Sequence, residues 1–286
     1  MEKTLAFLQT EMRSLLLEKY NQREVQQLMF MLLETIGVSR VQAIAYPDTK
    51  VSYSDYETIV EQTKRVADGE PIQYVLGHEQ FMNLTFNVCS GVLIPRPETA
   101  ELVELIISQQ TVQSPAILDI GTGSGCIAVS LAKYIPTSRV KAIDVSTKAI
   151  QIAISNAELN GVEVDFLCKS IFDDDFAIDS QSLDIVVSNP PYVLLNEKPS
   201  IEANVLNYEP HTALFVPNEK PLLFYIRIAD LAKQWLKQGG KLYFEINERF
   251  GNETKLMLET KGYTAVEIHK DFYQKDRMVS AIWNGN

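Results

Sequence analysis

Residues 116–135 read AILDIGTGSGCIAVSLAKYI. AILDI is a short, mostly apolar run of the kind that forms a buried strand, and from Cys126 to Ile135 the apolar residues recur at helical spacing. Between them Gly121, Gly123 and Gly125 let the backbone turn tightly and bring no Cβ against a ligand. A strand that passes through a glycine loop into a helix opens a βαβ unit, and such a loop faces a ligand. The spacing is Gly-x-Gly-x-Gly. A dinucleotide fingerprint would place its third glycine at position 126, where Cys126 stands, and this speaks against NAD.

Downstream the same alternation continues. RVKAIDV (139–145) predicts a strand and TKAIQIAISNAELN (147–160) a helix, with Ser146 placed to cap it and Asn160-Gly161 to close it. VDFLC, LDIVVS, a helix around 221–237 and KLYFEIN follow. Strands separated by single helices predict right-handed crossovers and a doubly wound parallel sheet, with its ligand beyond the carboxyl ends of the strands. Asp144 ends one of those strands. It is suited to accept both hydroxyls of a ribose, or simply to cap the helix that follows. The stretch IVVSNPPY (185–192) ends another on Asn189, Pro190, Pro191 and Tyr192. Neither proline can donate a ladder hydrogen bond, and both hold φ fixed. Two readings stand: a strand stop with an incidental amide, or a rigid holder built from Asn189 and a proline carbonyl.

Upstream the pattern changes. Residues 1–70 are helical and glycine-poor, with Leu5, Leu8, Met12, Leu15 and Leu16 on one stripe. EVQQLMFMLLETIG predicts a second helix stopped by Gly37, and SDYE (54–57) has the form of a capping box that starts a helix running to about Gly69. Residues 71–95 alternate with period two and predict a short hairpin connector. The domain reading is therefore helices over 1–70, a hairpin connector over 71–95 and an α/β domain over 96–286.

Bulk properties narrow the function. The chain has 286 residues, 46% of them hydrophobic and 22% charged, as in ordinary globular proteins. Its net charge is −11, from 26 basic and 37 acidic residues, which favours a protein or small-molecule substrate over nucleic acid. No apolar run approaches the roughly 18 residues of a membrane span, and the early acids are unlike a secretory signal. Cys89, Cys126 and Cys168 form no CxxC pair, and the three histidines show no ligand spacing. A reducing cytoplasm and the absence of a metal site are the expectations.

LIPRPETAELVE (93–104), LDIGTGSGCIAVSLA (118–132), SNPPY (188–192) and YEPHTALF (208–215) together resemble the bacterial glutamine-N5 methyltransferases of peptide chain release factors, the PrmC/HemK family of class I S-adenosylmethionine methyltransferases. The resemblance implies a Rossmann-like sheet, mostly parallel with an antiparallel last strand. It also implies a small amino-terminal helical domain for substrate docking and a connecting β-hairpin. The implied reaction is methylation of the glutamine in a Gly-Gly-Gln loop of a release factor, with S-adenosylhomocysteine as by-product and no metal. Gly121, Thr122, Gly123, Ser124, Gly125, Asp144 and Asn189 would hold the cofactor. Asn189, Pro190, Pro191 and Tyr192 would hold the substrate amide, with Asn189, Pro190 and Tyr192 catalytic. Asn189 and the Pro190 carbonyl would each accept one amide N–H, and Tyr192 would pack on the flat amide. Arg96 and Glu98 would sit above the pocket, or form a connector ion pair. The Tyr208-Glu209-Pro210 turn is a lid or a loop end. Family members often carry an acid and an aromatic where this chain has KSIF (169–172), so no adenine contact is assigned. The rivals are methylation of a ribosomal-protein glutamine and adenine-N6-type methylation of nucleic acid. A cytoplasmic monomer that does not bind nucleic acid directly completes the expectation.

Overall fold

The computed structural model describes residues 3–176 and 178–285. In chain order β1 (Lys3–Thr4), α1 (Leu5–Leu16), α2 (Gln22–Glu34), α3 (Arg40–Ala45), β2 (Lys50–Val51), α4 (Tyr53–Ala67) and α5 (Ile72–Leu76) come first. They are followed by β3 (His78–Phe81), β4 (Leu84–Asn87), α6 (Pro97–Gln109), β5 (Ala116–Ile120), α7 (Cys126–Tyr134), β6 (Arg139–Asp144), α8 (Thr147–Asn160), β7 (Asp165–Cys168) and β8 (Leu183–Ser188). The remainder is β9 (Val193–Leu194), α9 (Ala203–Tyr208), α10 (His211–Leu214), β10 (Phe215–Val216), α11 (Leu223–Trp235), β11 (Leu236–Glu245), α12 (Gly251–Thr260), β12 (Thr264–Lys270) and β13 (Asp276–Trp283).

The chain divides into two compact units, one comprising the residues up to Gly77 with 202–208, the other His78–Ile201 with the residues from Glu209 on. In the helical unit the expected stripe is buried at Leu5, Leu8, Met12 and Leu16, joined by Val25, Met29, Leu32, Leu33 and Ile59. Leu15 lies beside the stripe and is only partly buried. Two local expectations need correction. The third long helix starts at Tyr53, not after Ser54, because Ser52 caps it by accepting from Asp55 N at 3.1 Å. Residues 72–76 form α5 rather than strand, closed by Gly77 at φ 80°. The hairpin itself is narrower than 71–95. It pairs 78–81 with 84–87 across Met82-Asn83, both at positive φ as a two-residue type I′ turn requires.

The larger unit is built on a seven-stranded sheet of order β12-β13-β11-β8-β5-β6-β7. β13 runs antiparallel to both its neighbours, and the other contacts are parallel. β5 is buried along its whole length and β8 along most of it, so neither shows alternation, as expected of strands covered on both faces. One apolar cluster joins α11 and α12 to the sheet, and a second joins α6, α7 and α8. Chain order reverses between β5 and β8. The register there pairs Ile120 with Ser188, and on the other side Ile120 with Ile143. The glycine loop, Asp144 and Asn189 therefore leave the sheet side by side.

Candidate active site

The glycine loop is hung from the neighbouring strand end. Gly121 N and Thr122 N both donate to Ile143 O, at 2.8 and 3.0 Å. Asp144 Oδ2 accepts from Gly123 N at 2.9 Å, and its Oδ1 from Ser146 N at 2.8 Å. Burial raises the Asp144 pKa above the ordinary carboxylate value, and these N–H groups pull it back. A carboxylate has about four acceptor positions, so Asp144 keeps acceptor capacity for a ligand. Asp119 lies behind the loop, fully buried, with Oδ2 accepting from Thr122 Oγ1 at 2.6 Å. Burial pushes its pKa up to about 7, against the Thr122 hydroxyl and the Ala128 N–H.

These groups border a cavity of about 460 Å³. Gly121, Thr122, Gly123, Ser124, Asp144, Asn189, Pro190 and Pro191 all line it, so most of the residues expected at the site are brought together. Two are not. Gly125 lies outside the lining, and a Cβ there would stand 3.0 Å from Ala153 Cβ and 3.2 Å from Ala153 Cα. Its lack of a side chain lets α7 approach α8. Tyr192 also lies outside the lining. Its ring packs on the α11 side of the core and its hydroxyl donates to Glu245 Oε1 at 3.0 Å.

Asn189 is held from behind. Its Nδ2 donates to Thr99 Oγ1 at 3.1 Å, and Thr99 Oγ1 donates to Glu245 Oε2 at 2.6 Å. Thr99 and Glu245 are 2% and 1% exposed. Burial raises the Glu245 pKa, while the bonds from Thr99 and Tyr192 and the charge of Arg277 lower it. Arg96 lines the cavity and pairs with Glu209 at 2.5 Å; Glu209 is buried and also accepts from Ile94 N at 3.3 Å. The PRPET and YEP segments are thus fastened through Glu209, while Glu98 stays out of the lining. Lys169, Ser170, Ile171 and Phe172 form another wall, with Phe224 5.6 Å from Phe172 between ring centroids. Among the described residues no cluster of three or more His, Cys, Asp or Glu is placed to hold a metal. No helix among them is long and apolar enough to cross a membrane.

Residues 8–77 match the family described as PrmC N-terminal domain, and residues 99–207 that described as Methyltransferase small domain. The release factor glutamine methyltransferase of Bacteroides thetaiotaomicron is 44% identical over 270 residues, covering 94% of this chain and 96% of that one. Its counterpart in Flavobacterium psychrophilum is 45% identical over 268 residues, covering 91% and 92%. The chain belongs to the release factor glutamine methyltransferase family. A methyltransferase from Pyrococcus furiosus shares the fold, with a TM-score of 0.54 at 19% identity over 79% of this chain and 99% of that one. The sheet presents its glycine loop at the reversal of strand order.

The residues present in this family member fit a nucleoside cofactor. A Cβ at Gly121 or Gly123 would meet no protein atom within 4 Å, so the loop borders open space that a ligand can fill. A carboxylate with spare acceptor positions stands on the same wall. Thr99 and Glu245 were missed by sequence reasoning, and Glu209 was singled out only as part of a turn, without its pairing to Arg96. A signal existed for Glu245, a lone acid ending the apolar strand KLYFE. Thr99 sits within the PRPET motif, where the charged neighbours drew attention instead.

Proposed function

We propose that this chain transfers a methyl group from S-adenosylmethionine to the side-chain amide nitrogen of the glutamine in the Gly-Gly-Gln loop of peptide chain release factors. One adjacency carries the reading: Asn189, at the end of β8, borders the same cavity as the glycine loop at the end of β5. Bound there, S-adenosylmethionine supplies a methyl group already activated on a sulfonium. A carboxamide nitrogen is a weak nucleophile, because its lone pair is delocalised into the carbonyl. The protein's task is therefore aim and electrostatics rather than proton removal before transfer. Asn189 Oδ1 and the Pro190 carbonyl each accept one N–H of the substrate amide. This turns the nitrogen toward the methyl group and stabilises the positive charge that develops on it. The rings of Pro190 and Pro191 hold φ and keep that carbonyl on its line. Gly121–Ser124 and Asp144 hold the cofactor. Tyr192 acts from behind through its hydroxyl, and Gly125 contributes helix packing.

The same reading gives the domains their roles: helices over 1–70 dock the release factor, 71–95 connects and 96–286 catalyses. Exposed Val41 and Ile44 on α3, 70% and 68% accessible, suit a protein partner. A net charge of −11 suits a protein rather than a nucleic acid. The enzyme acts as a cytoplasmic monomer, where release factors work. Intact-mass analysis of purified release factor after incubation with this protein and S-adenosylmethionine tests the proposal. One added methyl, mapped to the glutamine, is expected. An unchanged release factor mass, with methyl transfer to a ribosomal protein or to nucleic acid in parallel incubations, would overturn it.

A further inference from the structure

Asn189 and Thr99, on the cavity wall, and Glu245, behind them, form an unbroken donor chain. Glu245, ending β11, accepts at both side-chain oxygens, from Thr99 Oγ1 at 2.6 Å and from Tyr192 Oη at 3.0 Å. With Glu245 ionised, it only accepts, and Thr99 gives its single hydroxyl proton to Glu245. Thr99 Oγ1 then has only lone pairs left to offer Asn189. The partner at 3.1 Å must accordingly be the Asn189 amide nitrogen, not its oxygen. A flipped Asn189 would set oxygen against oxygen in a buried place, losing one hydrogen bond and adding repulsion.

We infer that Thr99 and Glu245 are positioning residues that fix the flip of the Asn189 amide, so that its Oδ1 and not its Nδ2 is presented to the substrate. The inference rests on the proposed glutamine methylation, in which Asn189 Oδ1 accepts a substrate N–H. An Asn presented the other way would offer a donor to a donor and repel the substrate amide. The relay also acts on strength. Hydrogen bonds in a chain polarise one another, so drawing Nδ2 toward a carboxylate through Thr99 makes Oδ1 the better acceptor. The negative end of the relay is buried on the side from which Asn189 reaches the cavity, which suits a nitrogen that becomes positive during transfer. Tyr192, Tyr225 and Asn247 keep Glu245 and its surroundings in place. Tyr225 Oη donates to Glu245 O at 3.1 Å, and Asn247 Nδ2 to Tyr192 O at 3.2 Å. None of these three reaches the cavity lining, and their place in the reaction runs through Asn189.

Thr99→Val keeps the shape of the side chain and removes only the hydroxyl. Single-turnover methyl transfer to release factor at saturating cofactor should fall by about ten-fold or more, since a small loss of aim is costly in rate. S-adenosylhomocysteine affinity, read by calorimetry, should stay within about two-fold, because Thr99 gives the cofactor loop no hydrogen bond. Thr99→Ser, which restores the hydroxyl, should recover most of the rate. The deciding measurement is the double-mutant cycle: in an Asn189→Ala background Thr99→Val should cost nothing further, since there is no amide left to orient. Multiplicative losses, or full rate in Thr99→Val, would overturn the relay. If Thr99→Val does not fold, Thr99→Ala takes its place in the same cycle. Wild-type protein that transfers no methyl to release factor would instead overturn the proposed function. Normal wild-type transfer with additive mutants rejects the relay alone.

Discussion

Among the described residues the Asn189 amide is held at its nitrogen, by Thr99, and Asn189 lines the cavity; its oxygen is the acceptor proposed for the substrate. Asn189→Ala removes that acceptor while deleting little core area. Methyl transfer at saturating cofactor should drop about a hundred- to a thousand-fold, the usual loss for one preorganised partner of a transition state. Asn189→Asp keeps an acceptor but cannot donate to Thr99, so it should also transfer slowly; near wild-type turnover by either variant rejects the assignment. Asp119 makes a prediction about stability instead. Its carboxyl titrates near 3.8 when unconstrained and is pushed up to about 7 in the folded protein. Between those values the folded chain holds a proton that the unfolded chain has released, so stability falls as pH rises through the window and levels off above it. Asp119→Asn lacks this slope. Urea unfolding at about pH 5 and about pH 8 should show a larger loss in wild type than in the variant. Equal losses would mean that Asp119 is not the group responsible.

Glycines that look alike in one loop serve different elements. Gly123 and Gly125 both sit at positive φ, 56° and 82°, where alanine is strained by about 1–2 kcal/mol. Only Gly125 also presses against α8, and a Cβ 3.0 Å from Ala153 adds an overpacking cost of about 1–3 kcal/mol. Gly125→Ala should therefore lower the melting temperature more than Gly123→Ala. The order should reverse for cofactor affinity, because a Cβ at Gly123 enters the space the loop borders. Thermal melts and calorimetry on the pair separate the two roles, and the same ranking in both assays would refute the division. α6 shows a related economy. It starts at Pro97 with Arg96 as N-cap, a position where proline loses no helical hydrogen bond. Its first turn delivers Thr99 to Glu245, and the residue just before it delivers Arg96 to Glu209.

At the scale of the molecule, the helical unit has a core of its own and exposes apolar residues that the core does not use. Val41 and Ile44 lie three residues apart on α3, more than two thirds accessible each. If this surface docks the release factor, Val41→Ser with Ile44→Ser should raise the KM for release factor about ten-fold, as expected for two lost interface contacts. The limiting rate and the cofactor affinity should stay unchanged, since neither residue belongs to the site. Unchanged KM would remove α3 from the docking surface, and a reduced limiting rate would show that the substitutions act on the fold.

Much of this architecture was legible in the sequence because it depends on near neighbours. Helical spacing, the glycine loop, the cap at Ser146 and the left-handed Gly161 placed AILDI, CIAVSLAKYI and TKAIQIAISNAELN almost to the residue. Cap choice was less legible where two serines competed. Ser52 caps α4 by accepting from Asp55 N, and Ser54 lies inside the first turn. That Asn189 belongs with the glycine loop could be inferred, since both end parallel strands. How Asn189 is oriented could not. Thr99 and Glu245 lie 146 residues apart and meet only because α6 and β11 converge beside the end of β8. Pattern and turn chemistry are properties of a few consecutive residues, and the sequence by itself determined the elements and their order. The direction of a buried hydrogen-bond chain depends on which side chains share one place, and only the tertiary structure decided that.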